Sequence, residues 1–268
     1  MRPLVNYHVH TTFSCDATAT MREQCLRAVE LGLTEVAFTE HLDLQPNEEC
    51  YGYYNRDAYE AEFRRCEAEF GGSVKLLRGL EMTYQQEFHD QIVNWIKGYP
   101  YDFIIGSVHV VKSEFLHLRD LYSRWNARDC YTWYYEELLR AAQSGLFSVL
   151  GHLDLPKRYS YDTYGPVSWR DFEPLVNEVL RAAAATGTGI EINTSGLASA
   201  AKETFPGPDV VQRFRELGGV HITIGSDAHR PEQLGFGLDE GLRLARNAGF
   251  TAVTTYEGRR PRLVPIED

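Results

Sequence analysis

Apolar positions along the chain gather into short continuous runs separated by longer amphipathic stretches, a pattern that predicts alternating strands and helices. The runs are Leu4–His10, Glu35–Glu40, Lys75–Met82, Phe103–His109, Phe147–Leu153, Gly189–Thr194 and His221–Ser226. Each is rich in Val, Ile, Leu and Phe, too short for a helix, and reads as a parallel strand buried on both faces. The intervening segments carry helix punctuation. Thr20 and Glu23 form a capping box before a helix that stops at Gly32. Asp57 opens a second, closed by Gly71 and Gly72, and others end at Gly98 and Gly145. Ser168 caps a helix running to Thr186, Pro208 begins one that ends at Gly218, and Pro231 begins the last. No linker or low-complexity tract interrupts the series, so a closed or nearly closed (β/α) barrel in one domain, residues 1–268, is expected. A doubly wound open sheet would carry a phosphate-binding glycine fingerprint after the first strand, and the turn there, HTTFSCDA, has no glycine.

Composition narrows the class. The 268 residues carry 27 Lys and Arg against 38 Asp and Glu, a net charge of −11. An acidic chain does not suit a nucleic-acid scaffold, which draws on clustered cations. Nothing approaches the roughly 20 apolar residues of a membrane span. The start, MRPLVNYHVH, lacks a signal-peptide core, so a soluble cytoplasmic protein is expected. Cys15, Cys25, Cys50, Cys66 and Cys130 are odd in number and form no C-x-x-C. They read as free thiols in a reducing compartment.

The chemistry gathers at the strand ends. Of nine histidines, six fall at the C-terminal end of a predicted strand: His8, His10, His41, His109, His152 and His229. Glu81 ends the third strand, Asp227 follows the seventh, and Asp16 sits in the first loop. The C-terminal rim of a (β/α) barrel is where active sites are built. In an extended segment residues i and i+2 share a face, so His8 and His10 can meet one point. Imidazole with carboxylate suits zinc, iron or manganese, and this many ligands predicts a cluster of two or three ions. His89 and His221 are read as structural or surface residues, and His117 as a residue of a rim loop.

The ordered set HVHTTFSCD, TEH, GLE, SVH, GHLD and GSDAH, spanning residues 8 to 229, resembles the PHP (polymerase and histidinol phosphatase) metallohydrolases. The resemblance implies a distorted, TIM-like (β/α)7 barrel with up to three divalent metals. It implies that His8, His10, Glu81 and Asp227 hold a first ion. Glu81 would bridge to a second held by His109 and His152, and Asp16, His41 and His229 would hold a third. Within the family the segments GHLDLPKRY, EINTSGL and GSDAHRPEQLG most resemble the monofunctional histidinol-phosphatases of histidine biosynthesis.

That resemblance implies a phosphomonoesterase converting L-histidinol phosphate to L-histidinol and phosphate, by attack of a metal-bridging hydroxide on phosphorus. Arg158 is the expected phosphate clamp and transition-state stabiliser, because guanidinium matches phosphate oxygens. Asp43 is a candidate for the substrate ammonium. Asp154 or a metal-bound water would protonate the leaving alcohol. Family members often carry an arginine directly after the NTSGL-like segment; here Ala198 stands there, with Lys202 four residues on as a substitute cation. A small phosphate ester, not nucleic acid or a membrane, is the expected partner. The alternatives are a nucleotide or oligonucleotide phosphoesterase on the same metal site, and a non-catalytic metal-binding protein. The tyrosines of YGYY and YSYDTY are assigned to packing of rim loops, and Arg259–Arg262 to a solvated basic tail.

Overall fold

Seven parallel strands follow one another around a nearly closed barrel in the computed structural model, which describes residues 4–266. Residues 1–3 and 267–268 of the expected domain lie outside the described residues. The strands are β1 (Val5–Val9), β2 (Glu35–Phe38), β3 (Lys75–Thr83), β4 (Phe103–Ser107), β5 (Val149–Leu150), β6 (Gly189–Asn193) and β7 (Ile222–Gly225). Each pairs with its successor in sequence, in parallel. The chain thus forms the expected distorted, TIM-like barrel in α/β order. A two-residue strand, His41–Leu42, extends the second position and pairs with β3 so that His41 faces Glu81 in register.

Closure between β7 and β1 is made by a bridge and by one side chain. The backbone N–H of His10 donates to Ala228 O at 2.9 Å. Buried Asn6 donates to Ser226 Oγ at 2.6 Å and accepts from Ser226 N at 3.0 Å. The strands are buried on both faces, as their continuous apolar runs require: Val36, Phe38, Leu80, Ile105, Ile192 and Ile222 have no exposed surface. Each such side chain contributes about 1.5–3 kcal/mol by leaving water.

Several predicted elements shift. The capping box is formed, with Thr20 accepting from Glu23 N and the Glu23 carboxylate accepting from Thr20 N. Ser168 caps a short 3-10 turn, Trp169–Phe172, that leads into the helix Glu173–Thr186. Pro231 opens another 3-10 turn, and the last helix begins at Leu238. The YSYDTY segment is not a rim loop; it lies in the helix Pro156–Tyr164, begun by Pro at its first position.

The expected basic tail is instead the second arm of a hairpin, Ala252–Glu257 with Arg260–Pro265. Arg260 and Arg262 are exposed on it, as a solvated face requires, while Arg259, in the turn, is half-buried and donates to Leu146 O. The hairpin covers the barrel end opposite the histidines. There Tyr256 donates to Ser148 O at 3.1 Å, and Gly258 N donates to Asp102 Oδ1 at 3.0 Å.

Candidate metal and phosphoester site

The nine candidate ligands, scattered over more than 220 positions, converge at the barrel mouth around one carboxylate. Glu81 is 1% exposed. Its Oε2 lies 3.2 Å from His8 Nε2, 3.4 Å from His10 Nε2 and 3.0 Å from His41 Nδ1. Its Oε1 lies 2.9 Å from His152 Nε2 and 3.4 Å from His109 Nε2. Asp227 Oδ1 faces His10 Nε2 at 3.5 Å, His8 Nε2 at 3.6 Å and His229 Nδ1 at 3.6 Å. Asp16 Oδ2 reaches His229 Nε2 at 3.1 Å and His41 Nε2 at 3.5 Å. The i, i+2 expectation for His8 and His10 holds, since both rings aim at the same two carboxylates.

Local structure explains the aim of these side chains. Asp227 has φ of 53°, in the left-handed region that Asp tolerates better than most residues. Gly225 allows a close approach: a Cβ there would sit 2.4 Å from the His8 Cβ and 2.5 Å from Glu191 Oε1. The Ser14 hydroxyl donates to Glu40 Oε2 at 2.7 Å and accepts from His41 N at 3.0 Å. Its oxygen therefore receives the Nδ1–H of His10 at 3.1 Å, which assigns a free lone pair to the Nε2 that faces Glu81. Thr83 Oγ1 holds His109 Nδ1 at 2.8 Å.

Sequence reasoning gave no role to Glu191. It is buried beneath the cluster, with Oε1 2.6 Å from His8 Nδ1 and Oε2 accepting from His152 N at 3.0 Å. Carboxylates that hold the far nitrogen of a metal-facing imidazole are a recurrent support of metal sites. The EIN segment at the end of the sixth strand was the available signal. Ser14, Glu40, Thr83 and Ser107 were missed in the same way, being ordinary polar residues whose partners are remote in sequence.

The electrostatics follow from this crowding. Burial opposes charge on His8, yet the carboxylates of Glu191, Glu81 and Asp227 hold its pKa well above the usual value. Burial likewise opposes a charge on His109, and Glu81 and Asp43 lift it to about 9. Burial and the neighbouring His229 and His41 push His10 down to about 3. Glu81 and Asp227 stay well below the carboxylate range despite burial, because imidazoles surround both and Arg158 stands beside Asp227. Burial raises Asp43, but His109 and His41 bring it below its ordinary value.

Buried ligand atoms crowded at one point without a hydrogen-bond partner are what a metal-binding centre presents. Here Nε2 of His8 and His10, Nδ1 of His41 and Oε2 of Glu81 are buried and make no hydrogen bond. Three ligand triads lie within coordinating distance of one another: His8, His10 and Asp227; His10, His41 and His229; and His41, Glu81 and His109. The donor set of imidazole and carboxylate fits zinc, manganese or iron.

A cavity opens over the cluster, lined by Asp16, Asp43, Glu48, Arg158 and Tyr159 among others. Arg158 donates to Asp227 Oδ2 at 2.8 Å and to Ser195 Oγ, which places a cation beside the ligands. His117 also lines the cavity. Two expected residues are not brought there. Asp154 is 1% exposed, bound to Lys157 Nζ at 2.7 Å and to Gly207 N at 3.3 Å, and is not among the lining residues. Lys202 is exposed on the loop after β6 and does not line the cavity either. His221 stands away from the cluster at the start of β7, near Thr254, and half-buried His89 begins a helix beside Tyr84.

The reading of all five cysteines as free thiols is corrected. Cys15 and Cys50 form a disulfide, with Cα atoms 5.3 Å apart, while Cys25, Cys66 and Cys130 are free and buried. An odd total hides a pair. These two cysteines lie 35 residues apart in two rim loops that fold against each other at the cavity.

Known proteins share this fold. The PHP domain family matches residues 6–195. A histidinol-phosphatase of Lactococcus lactis is 30% identical over 96% of this chain and 95% of its own. A probable histidinol-phosphatase of Deinococcus radiodurans is 29% identical over 95% of this chain and 97% of its own. Among solved structures, histidinol phosphate phosphatase from Lactococcus lactis, complexed with zinc, L-histidinol and phosphate, superposes with a TM-score of 0.88. That structure is 29% identical and covers 97% of this chain and 99% of the other. With the family match covering residues 6–195, well over half of its length, the chain belongs to the PHP domain family.

Proposed function

We propose that this chain is a metal-dependent phosphomonoesterase that hydrolyses L-histidinol phosphate to L-histidinol and phosphate, a step of histidine biosynthesis. The observation that carries the reading is the clustering of nine imidazole and carboxylate side chains at the barrel mouth, five imidazoles facing Glu81, beside a cavity that presents Arg158. The full-length likeness to histidinol-phosphatases supplies the substrate.

Two or three divalent ions are assigned to the site. His8, His10, Glu81 and Asp227 form the first ligand set; Glu81, His109 and His152 the second; Asp16, His41 and His229 the third. Such ions supply Lewis-acid activation of the phosphoryl group and of water. Arg158 binds the phosphate oxygens and stabilises the charge that spreads over them. Its bonds to Asp227 and Ser195 hold the guanidinium beside the ligands, so phosphate meets an oriented cation. Asp154 is a positioning residue in this scheme: its pairing with Lys157 fixes the first turn of the helix that carries Arg158. A small phosphate ester in the cytoplasm, not nucleic acid, is the proposed partner, in keeping with the net charge of −11. No helix among the described residues is long and apolar enough to cross a membrane.

The test is phosphate release from histidinol phosphate beside a panel of nucleotides, with protein reconstituted separately with zinc, manganese and iron. Strong preference for histidinol phosphate is expected. Turnover of nucleotides alone would reject the substrate, and no turnover with any metal would reject the enzyme.

A further inference from the structure

The cavity carries a second group of carboxylates that the metal cluster does not use. Asp43 follows the short strand that bears His41 and is 3% exposed. Its Oδ1 is buried without a hydrogen bond, and the nearest charged partner is His109 Nδ1 at 3.9 Å. Glu48 lies five residues on, its side chain 9% exposed. One oxygen of Glu48 accepts from Cys50 N at 2.6 Å; the other stands 3.9 Å from His117 Nδ1. Carboxylate oxygens of Asp43 and Glu48 and the sulfur of Cys50 all lie within 4.8 Å of one another.

Two carboxylates so close, in a half-closed cavity, repel one another unless a cation lies between them. Among the described residues, no lysine or arginine pairs with either one. A primary ammonium presents three N–H donors and no acceptor, which matches two carboxylates that offer acceptors and no donor. In histidinol phosphate the amine is one carbon removed from the CH2–O–P group, so it must sit close to the reacting phosphorus. Asp43, near His109 of the metal cluster, stands at that reach, with Glu48 next to it. The Cys15–Cys50 disulfide ties the Glu48 loop to the loop of Asp16, which holds this carboxylate in place.

We infer that Glu48, paired with Asp43, is the ammonium-recognition subsite that selects amine-bearing phosphomonoesters over neutral ones. The inference rests on the histidinol phosphate reading above. Glu48→Gln in the metal-loaded enzyme keeps size and hydrogen bonding but removes the charge. KM for histidinol phosphate should rise about 10-fold or more, the value of one charge-assisted hydrogen bond. The kcat should stay within about 3-fold. Kinetics on p-nitrophenyl phosphate, which has no cation, should change less than about 2-fold. Competitive inhibition by L-histidinol should weaken in parallel while inhibition by inorganic phosphate holds, and Glu48→Asp should recover part of the loss. Equal losses on both substrates, or an unchanged KM for histidinol phosphate, overturn the inference and leave the enzyme assignment standing. Where the variant does not fold, wild-type enzyme with N-acetylhistidinol phosphate decides: an unchanged KM overturns the subsite. A wild-type enzyme active on p-nitrophenyl phosphate but not on histidinol phosphate rejects the substrate reading and the subsite with it.

Discussion

Glu191→Gln should weaken zinc binding without unfolding the barrel, because Glu191 orients two ligand-bearing segments with one carboxylate. Its Oε1 meets His8 Nδ1 at 2.6 Å, and its Oε2 accepts from His152 N at 3.0 Å and from Asn193 Nδ2 at 3.3 Å. All three partners are donors. A carboxamide keeps one acceptor and turns an NH2 group toward a donor, so either His8 or the His152 backbone loses its bond. The side chain is 1% exposed, so no water replaces what is lost. A buried hydrogen bond to a charged group contributes about 1.5–3 kcal/mol. If the loss falls on the His8 imidazole, zinc affinity should drop by about 10- to 100-fold, the usual cost of removing such a support. The assay is competition against a chelator of known zinc affinity, read beside zinc content after dialysis and thermal unfolding of the metal-stripped protein. Zinc affinity within about 2-fold of wild type, in a folded variant, would refute the claim that Glu191 sets the aim of His8.

Other consequences follow from the same geometry. Arg158→Lys keeps the charge but not the planar fork, so inhibition by inorganic phosphate should weaken about 10-fold; an unchanged inhibition constant removes Arg158 from the phosphate site. His8→Ala or Glu81→Ala should abolish turnover and lower bound metal in a folded barrel, and full activity in either would sink the ligand assignment. In denaturant without reductant, three thiols per chain should titrate, rising to five after reduction. Five at the outset would exclude the Cys15–Cys50 bridge, whose 35-residue loop predicts a loss of about 3–4 kcal/mol in Cys15→Ser. Acidity gives a further test in metal-stripped protein. Folding raises the pKa values of His8 and His109 above their unfolded values, against burial, through Glu191 and Glu81. Their contribution is therefore complete below about pH 6.5 and fades as pH rises through the folded values, about 9 for His109. Zinc must displace those protons, so calorimetric titrations at pH 7.5 should depend on the ionisation heat of the buffer. Identical heats in two buffers would contradict the raised values.

Much of this site was legible in the chain, for a physical reason. A (β/α) barrel turns position along a strand into depth, so any residue at the end of an apolar run must appear at one rim. Eight candidate ligands followed from that rule with no knowledge of distances, and the structure gathers them with Asp16, from the loop after the first strand, at the barrel mouth. What escaped notice was set by pairs remote in sequence. His8 and Glu191 are 183 positions apart, and nothing local to either marks the other. Asp154 shows the same limit from the opposite side. Two residues beyond His152, it has the alternation of an extended strand end, but β5 stops at Leu150 and the chain turns at once toward the Pro156 helix. The turn sends the Asp154 carboxylate to Lys157 and Gly207. The i, i+2 rule works for His8 and His10 because both lie on or directly beyond β1. It fails for Asp154 because strand geometry has already ended there.

The proposed third ligand set and the proposed amine pocket share a structural cause in the rim loops. Asp16 sits beside Cys15, and Glu48 two residues before Cys50, so the disulfide joins a metal-facing carboxylate to a cavity carboxylate through two short loops. Asp16 is the most exposed of the nine candidate ligands, its side chain 48% accessible against 1% for Glu81. Solvent competes most effectively for an exposed carboxylate, and a loop residue lacks the strand register that fixes His8 and His10. The third ion should therefore be the first to leave as chelator is added. Its loss should be easier in the reduced protein, where the two loops are no longer tied. Stepwise zinc removal, followed by metal content with and without reductant, should show one ion departing at lower chelator concentration in the reduced form. Three ions leaving together, at the same chelator concentration in both forms, would show that the loops are rigid without the disulfide and that Asp16 is as firmly placed as the strand ligands.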